Sequence, residues 1–145
     1  MKSLPSDPGT YILMLSLSKT HCIVVGKLGD LHFLPGWYAY VGSAMGPGGV
    51  AARVNRHLRI EKKAHWHLDY LRPFAHVTGS IVATGKLKKE HRWASRLTKS
   101  PFSGKPVKGF GCTDCKCRAH LLYFRQPPDP HEMTHVLKAQ WIPSP

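Results

Sequence analysis

Residues 9–17, Gly-Thr-Tyr-Ile-Leu-Met-Leu-Ser-Leu, form an apolar run of the length and composition of a buried strand. Ser18-Lys19-Thr20 marks a turn, and His21 to Lys27 predicts a second strand. Gly29-Asp30 punctuates the chain before the short apolar stretch Leu31 to Leu34. After Pro35-Gly36, the segment Trp37 to Gly42 is rich in strand-favouring aromatics. The pattern predicts three antiparallel strands before any helix.

Gly42 to Gly49 holds four glycines and one proline, which neither a helix nor a strand interior tolerates. Beyond it Val50, Val54 and Leu58 recur every four residues, with Arg53, Arg56, His57 and Arg59 between them, as in an amphipathic helix. A second helix is expected over 65–71, stopped by Pro73. A strand over 76–84 follows, then a helix over 88–97 with Trp93 and Leu97 on one face, a loop over 101–111 and a strand over 119–125. Pro127-Pro128-Asp129-Pro130 breaks the pattern before a last short helix from His131 to about Trp141. These elements predict one α+β domain over 1–145: a small mixed or antiparallel sheet flanked by helices, with its core in 8–125 and a Pro-rich connection and short helix in 126–145. No internal repeat is present.

Composition narrows the class. At 145 residues and 42% apolar content the chain can bury a core, and it has no run near the ~20 apolar residues of a membrane span. Lys and Arg number 21 against 8 acidic residues, giving a formal charge of +13 and an expected polyanionic partner, nucleic acid first. A membrane surface is disfavoured, because the charge is not gathered into a polybasic tail or a basic amphipathic helix. The start of the chain, with Pro5 and Pro8, is not a signal peptide. Three of the four cysteines crowd into 112–117 rather than forming a disulfide framework, so a reducing cytoplasm is the expected compartment. The eight carboxylates are dispersed singly. A two-metal nuclease needs several converging, so a site with one metal and few carboxylates is the more economical reading.

The segment 38–59 joins strand, glycine-rich turn and basic helix. Glycines admit a close phosphate, and a helix N-terminus offers free N–H groups and a positive dipole end. Gly42, Ser43, Arg56, Arg59, Lys62 and Lys63 are therefore candidate nucleic-acid contacts. Arg53 and His57, one turn apart, share a helix face and both could reach a phosphate. No Gly-Lys-Ser/Thr follows the turn, so it is not a nucleotide-binding P-loop. His65, His67 and Asp69 are ligand types, but helical spacing takes His67 off the face shared by the other two, which favours a structural or substrate-facing segment. Cys112, Cys115, Cys117 and His120 could make a zinc site by type, although their spacing is tight and a turn packed by small thiols is equally natural.

Gly9-Thr10-Tyr11 opens the first strand, Tyr40-Val41-Gly42 closes the third, and Arg53 follows eleven residues after Gly42. This order resembles the GIY-YIG nuclease superfamily. The longer series Pro8 to Leu13, Pro35 to Ala44, Arg56-His57-Leu58, His65-Trp66-His67-Leu68-Asp69-Tyr70-Leu71 and Gly109 to Cys117 resembles its Uri-type branch, over about Pro8 to Phe124. The resemblance implies hydrolysis of DNA phosphodiesters, branched or damaged DNA and RNA among the possible substrates, with one Mg²⁺ or Mn²⁺. It implies Tyr11 near the attacking water, Tyr40 in the second motif, Arg53 on the phosphate, and Glu90, opening Glu-His-Arg-Trp-Ala, as the metal ligand. His57, by its position one turn past Arg53 and the near-neutral pKa of an imidazole, is a further active-site candidate that could orient water or contact the phosphate. An unperturbed tyrosine is protonated at neutral pH, so Tyr11 acts as a base only if the metal or Arg53 lowers its pKa, and otherwise positions water. The chain departs from the family pattern by an additional strand pair over 18–34. If it is a side excursion, the tyrosines lie on neighbouring strands; if it shifts the pairing, Tyr38 could stand in for Tyr11. The alternative function is a basic nucleic-acid-binding module that keeps the fold without catalysis.

Overall fold

The structure, a computed structural model, describes residues 3–111 and 119–144. Its elements are β1 (Gly9–Leu17), β2 (His21–Val24), β3 (Asp30–Phe33), β4 (Gly36–Ala44), α1 (Gly49–Leu58), α2 (His67–Leu71), β5 (His76–Thr84), α3 (Glu90–Leu97), β6 (Lys105–Pro106), β7 (Leu121–Phe124), α4 (Pro130–Leu137) and β8 (Gln140–Pro143). Six strands form one sheet in the order β6-β7-β4-β1-β5-β8, every pair antiparallel.

An antiparallel strand usually alternates apolar and polar residues, because one of its faces meets water. β1 does not, and the layers explain why. Tyr11, Leu13, Leu15 and Leu17 face a core shared with Val50 and Val54 of α1, Leu68 and Leu71 of α2, and Phe33 of β3. Ile12 and Met14 face a second core with Trp93, Ala94 and Leu97 of α3 and Met133 and Leu137 of α4. Helices cover both faces of the central strand, so both sets of side chains are apolar.

Four strands precede α1, not three. The segment 21–34 is a side excursion: β2 and β3 pair only with each other, His21 opposite Phe33 and Val24 opposite Asp30. β2 ends at Val24 rather than Lys27 because the chain turns there. Val25 N–H donates to Gly29 O at 2.9 Å, and Gly26 and Gly29 hold φ of 48° and 76°, values that favour glycine. β1 therefore pairs directly with β4, with Tyr11 opposite Gly42 and Leu13 opposite Tyr40.

The C-terminal stretch also departs from expectation. α4 is capped by the Asp129 carboxylate, which accepts from His131 N–H at 2.9 Å, and it ends at Lys138, held at φ 56°. Trp141 lies not in a helix but in β8, opposite Ile81 on the edge of β5. Its ring covers Gly79, where a side chain would collide with it. Residues 126–144 thus complete the sheet rather than hang from it. Among the described residues no helix is long and apolar enough to cross a membrane.

Candidate active site

β7 pairs with β4 only as far as Leu121 opposite Tyr40, followed by one further bond from Val41 N–H to His120 O at 2.9 Å. Beyond that point the edge of β4 borders a cavity of about 400 Å³. Because the sheet is interrupted there, residues from both of its faces meet: Tyr11 from β1, Tyr40 and Ser43 from β4, Arg53 from α1, and Glu90 from the first turn of α3, with Trp66, Lys88, His91 and His120 around them. A second groove of about 320 Å³, lined by Leu4, Val54, Leu58, Val77 and Ile142 among others, has no titratable side chain in its lining and offers no chemistry.

Tyr11 is 1% exposed and its hydroxyl lies 2.8 Å from His57 Nε2. Burial raises the Tyr11 pKa, Tyr40 adds to the rise, and the Arg53 guanidinium lowers it without reversing the net upward shift. His57 is likewise 1% exposed. Burial lowers its pKa to about 3, against an upward pull from Asp69 and with Lys62, Arg53 and Arg56 pushing the same way as burial. The phenol stays protonated and the imidazole neutral. His57 is not among the residues lining the cavity; the expectation that it contacts phosphate alongside Arg53 gives way to a contact with Tyr11 from behind. Its Nδ1 is buried with no partner among the described residues.

The glycine-rich turn does not form the open phosphate cradle that its composition suggested. The N–H groups of Val50 and Ala51, in the first turn of α1, donate to Asp7 O at 3.0 Å and Pro5 O at 2.8 Å. A side chain at Gly49, which has φ 58°, would collide with the carbonyls of Ser6 and Asp7. The N-terminal strap thus occupies the helix terminus. Gly42 has a different use: a Cβ there would sit 2.5 Å from the Tyr11 hydroxyl oxygen, so the missing side chain is the slot that the phenol fills. Ser43 lines the cavity, and its Oγ is buried without a partner among the described residues.

The basic candidates separate as well. Arg56 makes a two-pronged ion pair with Asp69, both N–H···O distances 3.2 Å. Lys62 donates to Arg56 O at 2.9 Å, to His57 O at 3.2 Å and to Arg59 O, and lies 3.8 Å from Asp69. Arg72, which sequence reasoning missed, donates to the carbonyls of His57 and Leu58 at 2.9 and 3.1 Å. Lys62 and Arg72 satisfy the free carbonyls at the C-terminus of α1 and oppose the negative end of its dipole. Arg56 and Lys62 are therefore committed to structure, whereas Arg59 and Lys63 are exposed.

His65 precedes α2, and its backbone N–H and that of Trp66 donate to the Asp69 carboxylate at 2.8 and 2.9 Å. Burial raises the Asp69 pKa, but these bonds and Arg56 outweigh it and hold the carboxyl below its ordinary value. His67 Nδ1 accepts from Gly111 N–H at 2.7 Å, far from any shared ligand set. Capping, not metal binding, explains this cluster. Cys112, Cys115 and Cys117 lie outside the described residues. Their suggested partner His120 is buried, its ring 5.3 Å from that of His91 at the cavity wall.

The family model described as Domain of unknown function DUF123 matches residues 10–141. The chain belongs to the DUF123 family. The match extends past Phe124 to take in α4 and the start of β8, in keeping with their place in the sheet. No curated protein and no solved structure matches the chain. Within this DUF123 domain, the tyrosines of the two glycine–tyrosine motifs, the α1 arginine and the α3 glutamate share one cavity, while Tyr38 stands apart from it, donating to Leu34 O at 2.6 Å.

Among the described residues, which leave out Cys112, Cys115 and Cys117, no group of three or more His, Cys, Asp or Glu side chains could hold a metal ion. A hard divalent cation has a different requirement. It takes one or two carboxylates and fills the remaining positions with water and substrate phosphate oxygens. Glu90, the one carboxylate among the described lining residues and 3.6 Å from His91 Nε2, fits that form of ligation.

Proposed function

We propose that this DUF123 domain is a divalent-metal-dependent endonuclease of the GIY-YIG type acting on DNA, in keeping with the Uri-type motif series. The observation that carries the reading is the convergence of Tyr11, Tyr40, Arg53 and Glu90, drawn from four elements, on one cavity of a strongly basic chain.

The residues divide the work as follows. Arg53 offers N–H donors to the oxygens of the scissile phosphate, where negative charge grows in the transition state. Glu90 would hold Mg²⁺ or Mn²⁺, which supplies an acidified water and neutralises phosphate charge. Tyr11 orients water through its hydroxyl. Burial raises its pKa above the usual value of about 10, so in the metal-free site the phenol keeps its proton. His57 holds the phenol in place. Tyr40 packs edge-on against His57 and Phe110, with ring centroids 5.6 and 6.2 Å apart, and walls the site.

The test is nicking of supercoiled, branched and damaged DNA, with RNA as a further arm, in Mg²⁺ and in Mn²⁺. The native chain should cut, and Glu90→Gln and Arg53→Ala should each lose about a hundredfold or more in rate. Binding without cutting in any arm would make the domain a basic nucleic-acid-binding module. Undiminished cutting by Glu90→Gln would remove Glu90 from the site.

A further inference from the structure

Arg53 and Arg56 lie one turn apart on α1 with the same charge, yet their surroundings differ. Asp69 neutralises Arg56 through two N–H···O contacts. Arg53 has no carboxylate within ion-pair distance among the described residues; its guanidinium donates to Ser43 O at 3.2 Å and lies beside the Tyr11 hydroxyl. Both guanidinium carbons lie over the Trp66 ring, 4.5 Å from its centre for Arg53 and 4.1 Å for Arg56. The Trp66 backbone is fixed by the same Asp69 carboxylate that binds Arg56.

We infer that Trp66, anchored by Asp69, is a positioning residue that holds Arg53 as an anion receptor, and that Arg56 is the partner that locks the clamp. The inference rests on the nuclease reading only for the identity of the anion, a DNA phosphate. An aromatic face attracts a cation through its quadrupole without taking up the in-plane N–H donors that a carboxylate would engage. Arg53 is thereby held in place while most of its donors stay available to phosphate. A carboxylate in the position of Trp66 would fix the guanidinium equally well and cancel the charge that recruits the anion. The Asp69 charge is directed to Arg56 instead, so two neighbouring arginines become one scaffold and one receptor.

Arginine side-chain NMR of the full chain tests this without catalysis. When a DNA duplex is added in metal-free buffer, the Arg53 Nε–H signal should move and the Arg56 signal should stay. In Trp66→Leu the Arg53 signal should lose its ring-current shift, with Trp66→Phe intermediate. Equal movement of both arginines, or an Arg53 signal indifferent to Trp66→Leu, overturns the inference. A kinetic arm uses the cutting assay. Trp66→Leu should lower kcat about tenfold and change KM less than about threefold. Free guanidinium should rescue Arg53→Ala, but not Arg53→Ala combined with Trp66→Leu; equal rescue of both overturns the clamp. If the NMR pattern holds and no chain cuts DNA, the clamp stands and the nuclease reading falls.

Discussion

Replacing Gly42 by alanine forces a methyl group against the Tyr11 ring. The added Cβ would lie 2.5 Å from Oη, 2.6 Å from Cζ and 3.0 Å from Cε1 of Tyr11, whereas such atoms are at ease only from about 3.5 Å. The phenol must therefore retreat by about 1 Å, and it has little room. It is 1% exposed, its hydroxyl is 2.8 Å from His57, and its backbone is paired on both sides, to Gly42 and to Val82. Overpacking a tight core costs about 1–3 kcal/mol, and displacing a buried hydrogen bond adds about 1 kcal/mol. The expected loss is about 2–4 kcal/mol, which in a domain of this size lowers Tm by roughly 5–15 °C. Urea and thermal denaturation measure it, and a double-mutant cycle isolates the contact. With Tyr11→Ala already in place the same methyl enters empty space, and Gly42→Ala should cost almost nothing or stabilise by up to about 1 kcal/mol, as replacing a strand glycine does. Should the Tyr11→Ala chain not fold, Tyr11→Leu serves as the background. Equal costs of Gly42→Ala with and without the ring, or no cost in either, would refute the slot.

The remaining predictions concern protons and charges. His57 has a folded pKa of about 3 against about 6.5 when unfolded, so its contribution is complete above about pH 6.5. It is lost as pH falls toward 3, by up to about 1.4 kcal/mol per unit. Between pH 7.5 and pH 5 the native chain should lose about 2 kcal/mol from this residue, with His67 and His120, also lowered by burial, adding losses of the same sign. A urea titration of His57→Gln should show a shallower dependence, and identical slopes would exclude His57 as the source. Asp69→Asn strips Arg56 and Lys62 of their counter-charge and should cost about 2–4 kcal/mol, given that Arg56 is partly exposed; a loss under 1 kcal/mol by calorimetry would mean that the network is not structural. Tyr38→Phe should cost about 1 kcal/mol for its bond to Leu34 O and leave DNA nicking unchanged, whereas Tyr11→Phe, which loses the hydroxyl that orients water, should slow nicking about tenfold or more. The opposite ranking would exchange the two tyrosines.

How much was legible depends on whether the signal was local. Apolar runs placed β1, β4 and β5, and a four-residue period placed α1, because these patterns follow from burial on one or two faces of an element. β8 was not legible. The left-handed Lys138 that ends α4, and the edge of β5 that receives Trp141, lie outside any short window. The candidate residues follow the same division. Tyr11, Tyr40, Arg53 and Glu90 could be named from motif spacing, but their meeting depends on where β7 stops pairing with β4 and lets both faces of the sheet reach one cavity. Gly42 and Tyr11 were visible as two motifs, and only their pairing across β1 and β4 turns one into the space the other fills. In sequence Arg53 and Arg56 are both basic residues of one amphipathic helix and both candidates to meet a phosphate. Asp69, thirteen residues beyond Arg56, divides them into receptor and scaffold, since a buried carboxylate must be satisfied by whichever donors the fold brings to it. The chain by itself determined its charge, the strands and helices whose burial pattern is local, and the residue types a phosphate site needs. Tertiary structure decided which of those residues remain available to use them, because burial and hydrogen-bond satisfaction are set by neighbours far away in sequence.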